Sequence, residues 1–217
     1  MKFDTVLFDL DGTVTDSGEG IINCVKYALD SLGIVENDGN ILKSFIGPPL
    51  KEMFKTTYKL SDDEADFAIL KYRERYGDTG IFENKVYDGF EEILNMLNKK
   101  GVCICLATSK PEFYAVKILE HFSLKKYFTH ISGSEFDGRR TEKTDVINYA
   151  LSKLEKPHNT IMVGDRKFDV ISAHECKLKC IGVKYGFPNE GELEKAGADF
   201  ICNTTSELFE ILKEITK

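Results

Sequence analysis

The 217-residue sequence has no run of about 18 apolar residues, the length a helix needs to cross a bilayer, so no membrane span is expected. It has no surplus of positive charge. Lys and Arg number 29 against 36 Asp and Glu, for a net charge of -7. A protein that grips nucleic-acid polymers needs a basic stripe, and that class is excluded. A small anionic ligand is not, because local cations and a metal can reverse the sign inside a pocket. No uninterrupted apolar stretch of signal-peptide length opens the chain. Asp4 and Asp9 break it, which points to the cytoplasm. No CxxC pair occurs among Cys24, Cys103, Cys105, Cys176, Cys180 and Cys202. They read first as small buried hydrophobes in a reducing compartment, and second as metal or redox groups. Internal repeats and low-complexity tracts are absent too. No feature separates a monomer from a dimer.

Hydrophobic residues make up 42%, enough for a real core. Apolar runs alternate with helical spacing. Thr5 to Leu10, Val102 to Ala107 and Thr160 to Val163 read as buried strands. His130 to Ser132, Lys179 to Val183 and Phe200 to Cys202 read as shorter ones. Helical patterns cover Gly89 to Lys99, Pro111 to Phe122, Lys143 to Leu154, Phe168 to Cys176 and Ser206 to Ile215. Strand, helix, strand in repetition predicts an α/β fold, a Rossmann-like parallel sheet covered on both faces. Residues 17–84 break the rhythm. Ile22, Val25, Leu29 and Leu32 form an apolar stripe that ends at Gly33. A second helix follows Pro49. A third starts with a capping box, Ser61 and Glu64, and stops at Gly77. We therefore expect a small all-helical domain over 17–84, inserted into an α/β core of residues 1–16 and 85–217.

Four segments carry chemistry. The first strand ends Phe8-Asp9-Leu10-Asp11-Gly12-Thr13, and alternation puts Asp9 and Asp11 on one side. Paired carboxylates repel, and a fold accepts them when a cation lies beside them. Gly12 permits a tight turn away from the strand. Next, Cys103 to Ala107 runs into Thr108-Ser109-Lys110-Pro111, where a hydroxyl and helix-start amides would seat an anion. Lys143 follows early in a helix. Finally a strand ends Gly164-Asp165, with Asp169 four residues on, which offers oxygen ligands for a hard cation. Each signal has a plainer reading: solvated acids at a strand end, a Ser/Thr cap before proline, a surface lysine, an N-cap aspartate.

In this order, DxDGT, a strand ending in Thr, a Lys and GDxxxD resemble the haloacid dehalogenase superfamily of aspartate-nucleophile hydrolases, over nearly the whole chain. The helical insert resembles the cap of the branch that includes phosphoglycolate phosphatases. So do Ile46-Gly47-Pro48-Pro49-Leu50, Tyr72-Arg73-Glu74-Arg75-Tyr76 and Tyr87-Asp88-Gly89. The resemblance implies a phosphatase of small phosphorylated metabolites with Asp9 as nucleophile and Asp11 as general acid and base. It implies Mg2+ at the Asp9 carboxylate, the Asp11 backbone carbonyl and Asp165, with Asp169 behind. It gives phosphate binding to Thr108, Ser109, Lys143 and Gly12. Gly47, Pro48, Arg73 or its neighbour Arg75, and Arg140 would meet the rest of the substrate, with Arg139 beside them.

Related branches are set aside residue by residue. Dehalogenases and phosphonate-cleaving enzymes lack an acid at the position of Asp11. The sugar-phosphate mutases resembling this branch use a cap histidine, and no His precedes His121 here. Phosphoglycolate is the default substrate. A nucleoside 5'-monophosphate is the alternative, because Asp137-Gly138-Arg139-Arg140 and Gly164-Asp165-Arg166-Lys167 resemble a 5'-nucleotidase branch. A phospho-accepting, receiver-like binding module is the non-enzymatic alternative. Such modules lack both the acid at Asp11 and a cap.

Overall fold

Thr5–Phe8 (β1) is buried along its whole length, as a strand covered on both faces must be. It is described by a computed structural model that covers residues 2–154 and 159–217. The other strands are Thr15–Asp16 (β2), Lys85–Val86 (β3), Cys103–Pro111 (β4), His130–Ser134 (β5), Thr160–Gly164 (β6), Lys179–Val183 (β7) and Phe200–Cys202 (β8). Six of them form one sheet in the order β5-β4-β1-β6-β7-β8, parallel throughout. The helices are Gly18–Asp30 (α1), Gly39–Lys43 (α2), Leu50–Tyr58 (α3), Asp62–Arg75 (α4), Phe90–Lys99 (α5), Glu112–His121 (α6), Lys143–Ser152 (α7), Lys167–Glu175 (α8), Glu192–Ala196 (α9) and Thr205–Ile215 (α10). This is the Rossmann-like α/β sheet expected from the alternating pattern. The chain divides into two units, Met1–Thr15 with Val86–Lys217, and Asp16–Lys85.

In the sheet unit, alternation along β1 sorts its side chains between two faces. Leu7 joins Cys105 and Met162 in a core with Val146, Ile147 and Ala150 of α7 and Val170 and Ala173 of α8. Phe8 points the other way and meets Phe90 of α5 edge to face, with ring centroids 5.3 Å apart. Register then aligns three strand ends. Phe8 is level with Leu106 of β4 and with Val163 of β6. Asp9, Ala107 and Gly164 are the next residues on these three neighbours. From β1 the sheet grows outward in both directions, which makes its carboxyl edge the switch point where open α/β sheets bind ligands.

In the helical unit, α1 packs along α4, and its buried residues are Gly18, Gly20, Ile21, Cys24, Val25, Ala28 and Leu29. The stripe expected from large residues alone is thereby corrected: Ile22 and Leu32 are only half-buried. Small residues line the contact instead, and α4 answers with Ala65 and Ala68. The capping box is formed, with Ser61 N–H donating to Glu64 Oε2 at 2.8 Å and Glu64 N–H to Ser61 Oγ at 3.3 Å. Gly77 does not stop the chain's winding, because a π-helical turn continues over Tyr76–Gly80. Two five-residue helices, α2 and α9, are too short to show a period in sequence.

Candidate active site

Asp9 follows β1 directly and lies on the face of Leu7, the face that α7 covers. Lys143 opens α7, so the same packing that buries Val146 and Ile147 brings its ammonium to Asp9. Lys143 Nζ donates to Asp9 Oδ1 at 2.5 Å and lies 2.7 Å from Asp169 Oδ1. All three side chains are at least nine-tenths buried. Burial pushes the Asp9 carboxyl up to about 6, with Lys143 pulling against the rise and Asp169 adding to it. Burial would lower the Lys143 ammonium, but Asp169 and Asp9 more than reverse that and hold it above the lysine range.

Asp165 follows β6 and is buried. Its Oδ2 accepts from the Phe187 amide at 2.8 Å, whereas Oδ1 has no hydrogen-bond partner among the described residues. Burial raises this carboxyl well above the usual range, and Asp169 and Asp9 raise it further. Asp169 stands in the first turn of α8, where its Oδ2 accepts from the Arg166 amide at 3.1 Å. Asp9, Asp165 and Asp169 each bring an oxygen within 4.8 Å of the others. An orphaned, buried carboxylate oxygen in an all-oxygen trio fits a hard divalent cation.

Past Asp9 the chain turns sharply. The amides of Thr13, Val14 and Thr15 all donate to the Leu10 carbonyl, at 3.2, 2.9 and 3.0 Å, with Gly12 at φ +84°. Tyr185 Oη clamps this turn by donating to the Thr13 carbonyl at 2.9 Å. Asp11 faces Lys110, whose Nζ is 2.9 Å from its Oδ2. Thr108 is buried and its hydroxyl accepts from the Lys110 amide at 3.3 Å.

The strand before the anion seat is corrected at its end: β4 runs on through Thr108 and Ser109 to Pro111 instead of stopping at Ala107, and α6 begins at Glu112, one residue after the expected start. Asp9, Asp11, Lys143, Asp165 and Asp169 form one constellation, with Gly12 against Asp165. Arg140 is held elsewhere. Its guanidinium bonds Glu112 at 3.1 Å, Glu135 at 2.8 Å and the Gly133 carbonyl at 2.9 Å. It borders a cavity of about 360 Å³, with Phe113 and Phe136, that does not include the acid cluster. Arg139 pairs with Glu135 and Asp137 on the surface. Gly47, Pro48 and Arg73 belong to the helical unit, where Gly47 makes the turn before α3 at φ +103°. Arg75 forms a two-pronged pair with Glu83, both contacts 2.7 Å. Sequence reasoning missed the place of Lys110. Its one signal, the position two residues after Thr108, was absorbed into the expected helix start.

The model of haloacid dehalogenase-like hydrolases matches residues 6–183. The chain belongs to this family, and by class it is a phosphatase, a hydrolase of phosphate esters. It is 41% identical over 214 residues to a 5'-nucleotidase of Pseudomonas aeruginosa, covering 98% of this chain and 97% of the relative. A phosphoglycolate phosphatase of Vibrio parahaemolyticus is 26% identical, with 95% of each chain covered. The crystal structure of a predicted phosphatase from Clostridium acetobutylicum superposes with a TM-score of 0.93 at 46% identity, covering 99% of this chain and all of that one. Among the described residues no helix is long and apolar enough to cross a membrane.

Proposed function

We propose that the chain is a magnesium-dependent phosphomonoester hydrolase that works through an aspartyl phosphate on Asp9, with a nucleoside 5'-monophosphate as substrate. The observation that carries this reading is the buried Asp9–Lys143–Asp169 contact beside Asp165. A nucleophilic carboxylate and a phosphate ester are both anions, so each needs a cation at hand before they can meet. Lys143 is one. Magnesium, held by Asp9, Asp165 and the Asp11 carbonyl with Asp169 behind, would supply the second and screen the ester's charge.

In the first step an Asp9 oxygen attacks phosphorus, the bond to the leaving oxygen breaks, and Asp11 gives that oxygen its proton. In the second, Asp11 takes a proton from water. The water oxygen attacks phosphorus, the bond to Asp9 breaks, and inorganic phosphate leaves. Lys143 keeps Asp9 in place and offers its remaining donor to the phosphoryl group. Thr108 and Ser109 complete the phosphate seat, with Gly12 in the turn beside it; its own amide donates to the Thr15 carbonyl at 2.7 Å. We assign residues 17–84 as the cap of the family resemblance, with Gly47, Pro48 and Arg73 as its candidate substrate residues.

The relative identities favour the nucleotide over phosphoglycolate, reversing the order read from the sequence. Phosphoglycolate stays as the second reading, on the strength of the Vibrio relative. The test has two arms. D9N should lose phosphate release by at least about a thousandfold with metal and substrate in excess; undiminished turnover ends the mechanism. A substrate panel should prefer nucleoside monophosphates by more than about tenfold, and the opposite ranking restores phosphoglycolate.

A further inference from the structure

β4 and β5 do not pair evenly at their carboxyl ends. Ala107 is opposite Ser132 and Pro111 is opposite Ser134. Thr108, Ser109 and Lys110 therefore face the single residue Gly133, a bulge of two extra residues. Bulges of this kind re-aim side chains and gather near active sites. This one is pinned from both sides. Ser134 Oγ donates to the Ser109 carbonyl at 2.8 Å, and the Lys110 amide donates to Thr108 Oγ1 at 3.3 Å. It also rides close over Gly133, where a Cβ would fall 2.6 Å from the Lys110 carbonyl. A straight strand would place Lys110 by simple alternation, at a position set by the sheet. The bulge instead delivers its ammonium to Asp11.

The contact is 2.9 Å, and the Lys110 side chain is only 6% exposed. A buried ammonium is a poor stabiliser, since an apolar side chain of similar volume does as well or better. What the pair does supply is orientation. Asp11 Oδ2 is taken by Lys110, and Oδ1 is buried with no hydrogen-bond partner among the described residues. One oxygen is anchored and the other is left for proton transfer. We infer that Lys110 is a positioning residue: it holds the Asp11 carboxyl in register for proton delivery to the leaving oxygen. The inference rests on the aspartyl-phosphate reading above, with Asp11 as acid and base.

The test compares leaving groups, because a poor leaving group needs a proton and a good one does not. K110M, with K110Q as the second variant if the first does not fold, is assayed against wild type on a nucleoside 5'-monophosphate and on p-nitrophenyl phosphate. We expect kcat/KM on the nucleotide to fall by roughly a hundredfold, and on the aryl ester by about threefold or less. K110R should recover part of the difference. D11N should show the same bias, and the K110M/D11N double variant should be no worse than D11N alone. Equal losses on both esters, or losses that multiply in the double variant, overturn the inference. Any alkyl phosphate the wild type cleaves can replace the nucleotide, so the result does not depend on the substrate assignment. An active D9N brings down the underlying mechanism; an inactive D9N with equal K110M losses brings down only this step.

Discussion

A side-chain carbon placed on Gly12 would lie 2.1 Å from Oδ2 of Asp165. The turn after β1 is therefore packed directly on a carboxylate delivered by β6, and the backbone there sits at φ +84°. G12A meets both obstacles: a left-handed conformation that alanine resists, and a clash that displaces Asp165. We expect a stability loss of about 1–3 kcal/mol and a fall in turnover of at least about a hundredfold. Urea denaturation and phosphate release check the two halves, and normal turnover in G12A would mean that Asp165 does not need its present position.

Asp9, Asp165 and Asp169 crowd three carboxylates into one buried space with the single ammonium of Lys143, so without a further cation they oppose folding. D165N removes one charge. In chelator, its melting temperature should equal or exceed that of wild type. Magnesium at a hundred times its dissociation constant should then stabilise wild type by about 2.7 kcal/mol and leave D165N nearly unmoved. Thermal melts with and without metal read this directly. An equal magnesium shift in both proteins would place the ion elsewhere.

Glu192 ties α9 to the start of α8. Its Oε1 accepts from the Lys167 amide at 2.8 Å and from Arg166 Nε at 3.0 Å, and its Oε2 accepts from the Asn189 amide at 2.9 Å. Burial opposes its charge, but the amides of Lys167 and Asn189 and the Arg166 guanidinium outweigh burial and hold the carboxyl below the ordinary 4.5. A lowered folded-state value means stability that is present above about pH 4.5 and is lost as the pH falls through the folded value. E192Q should thus cost about 1.5–3 kcal/mol at pH 7 and progressively less below pH 4.5. Denaturation midpoints at several pH values test it. A pH-independent difference would assign the cost to packing.

Arg75 and Glu83 make a two-pronged pair within the helical unit, each side chain 23% exposed. Geometry of this kind is stronger than a surface contact, yet water still screens it. R75M should destabilise the protein by about 1 kcal/mol, with an effect that shrinks in high salt. Urea titrations at two ionic strengths measure this. A salt-independent loss would mean that the Arg75 stem, rather than its charge, matters.

Much of the acid cluster was legible because strand ends are easy to see. Asp9 and Asp165 each close an apolar run, and Lys143 and Asp169 each fall in the first turn of a helix. Lys110 was not legible, since a bulge is a mismatch between two strands and neither strand shows it alone. Glu192 was hidden for a similar reason: its partners, Arg166 and Lys167, lie 26 and 25 residues away. The buried face of α1 was misread because glycine, alanine and cysteine count little in an apolar tally, yet they allow helices to approach closely.

The order of strands and helices, and the aspartates that end the strands, were determined by the sequence itself, because periodicity and turn chemistry act between near neighbours. Which charges meet was decided only by the tertiary structure. Parallel register brings Asp9 level with β6, and the packing of α7 carries Lys143 to it. The bulge in β4 sends Lys110 to Asp11. Coulomb interactions and desolvation depend on distances and burial between remote residues, and only folding sets those.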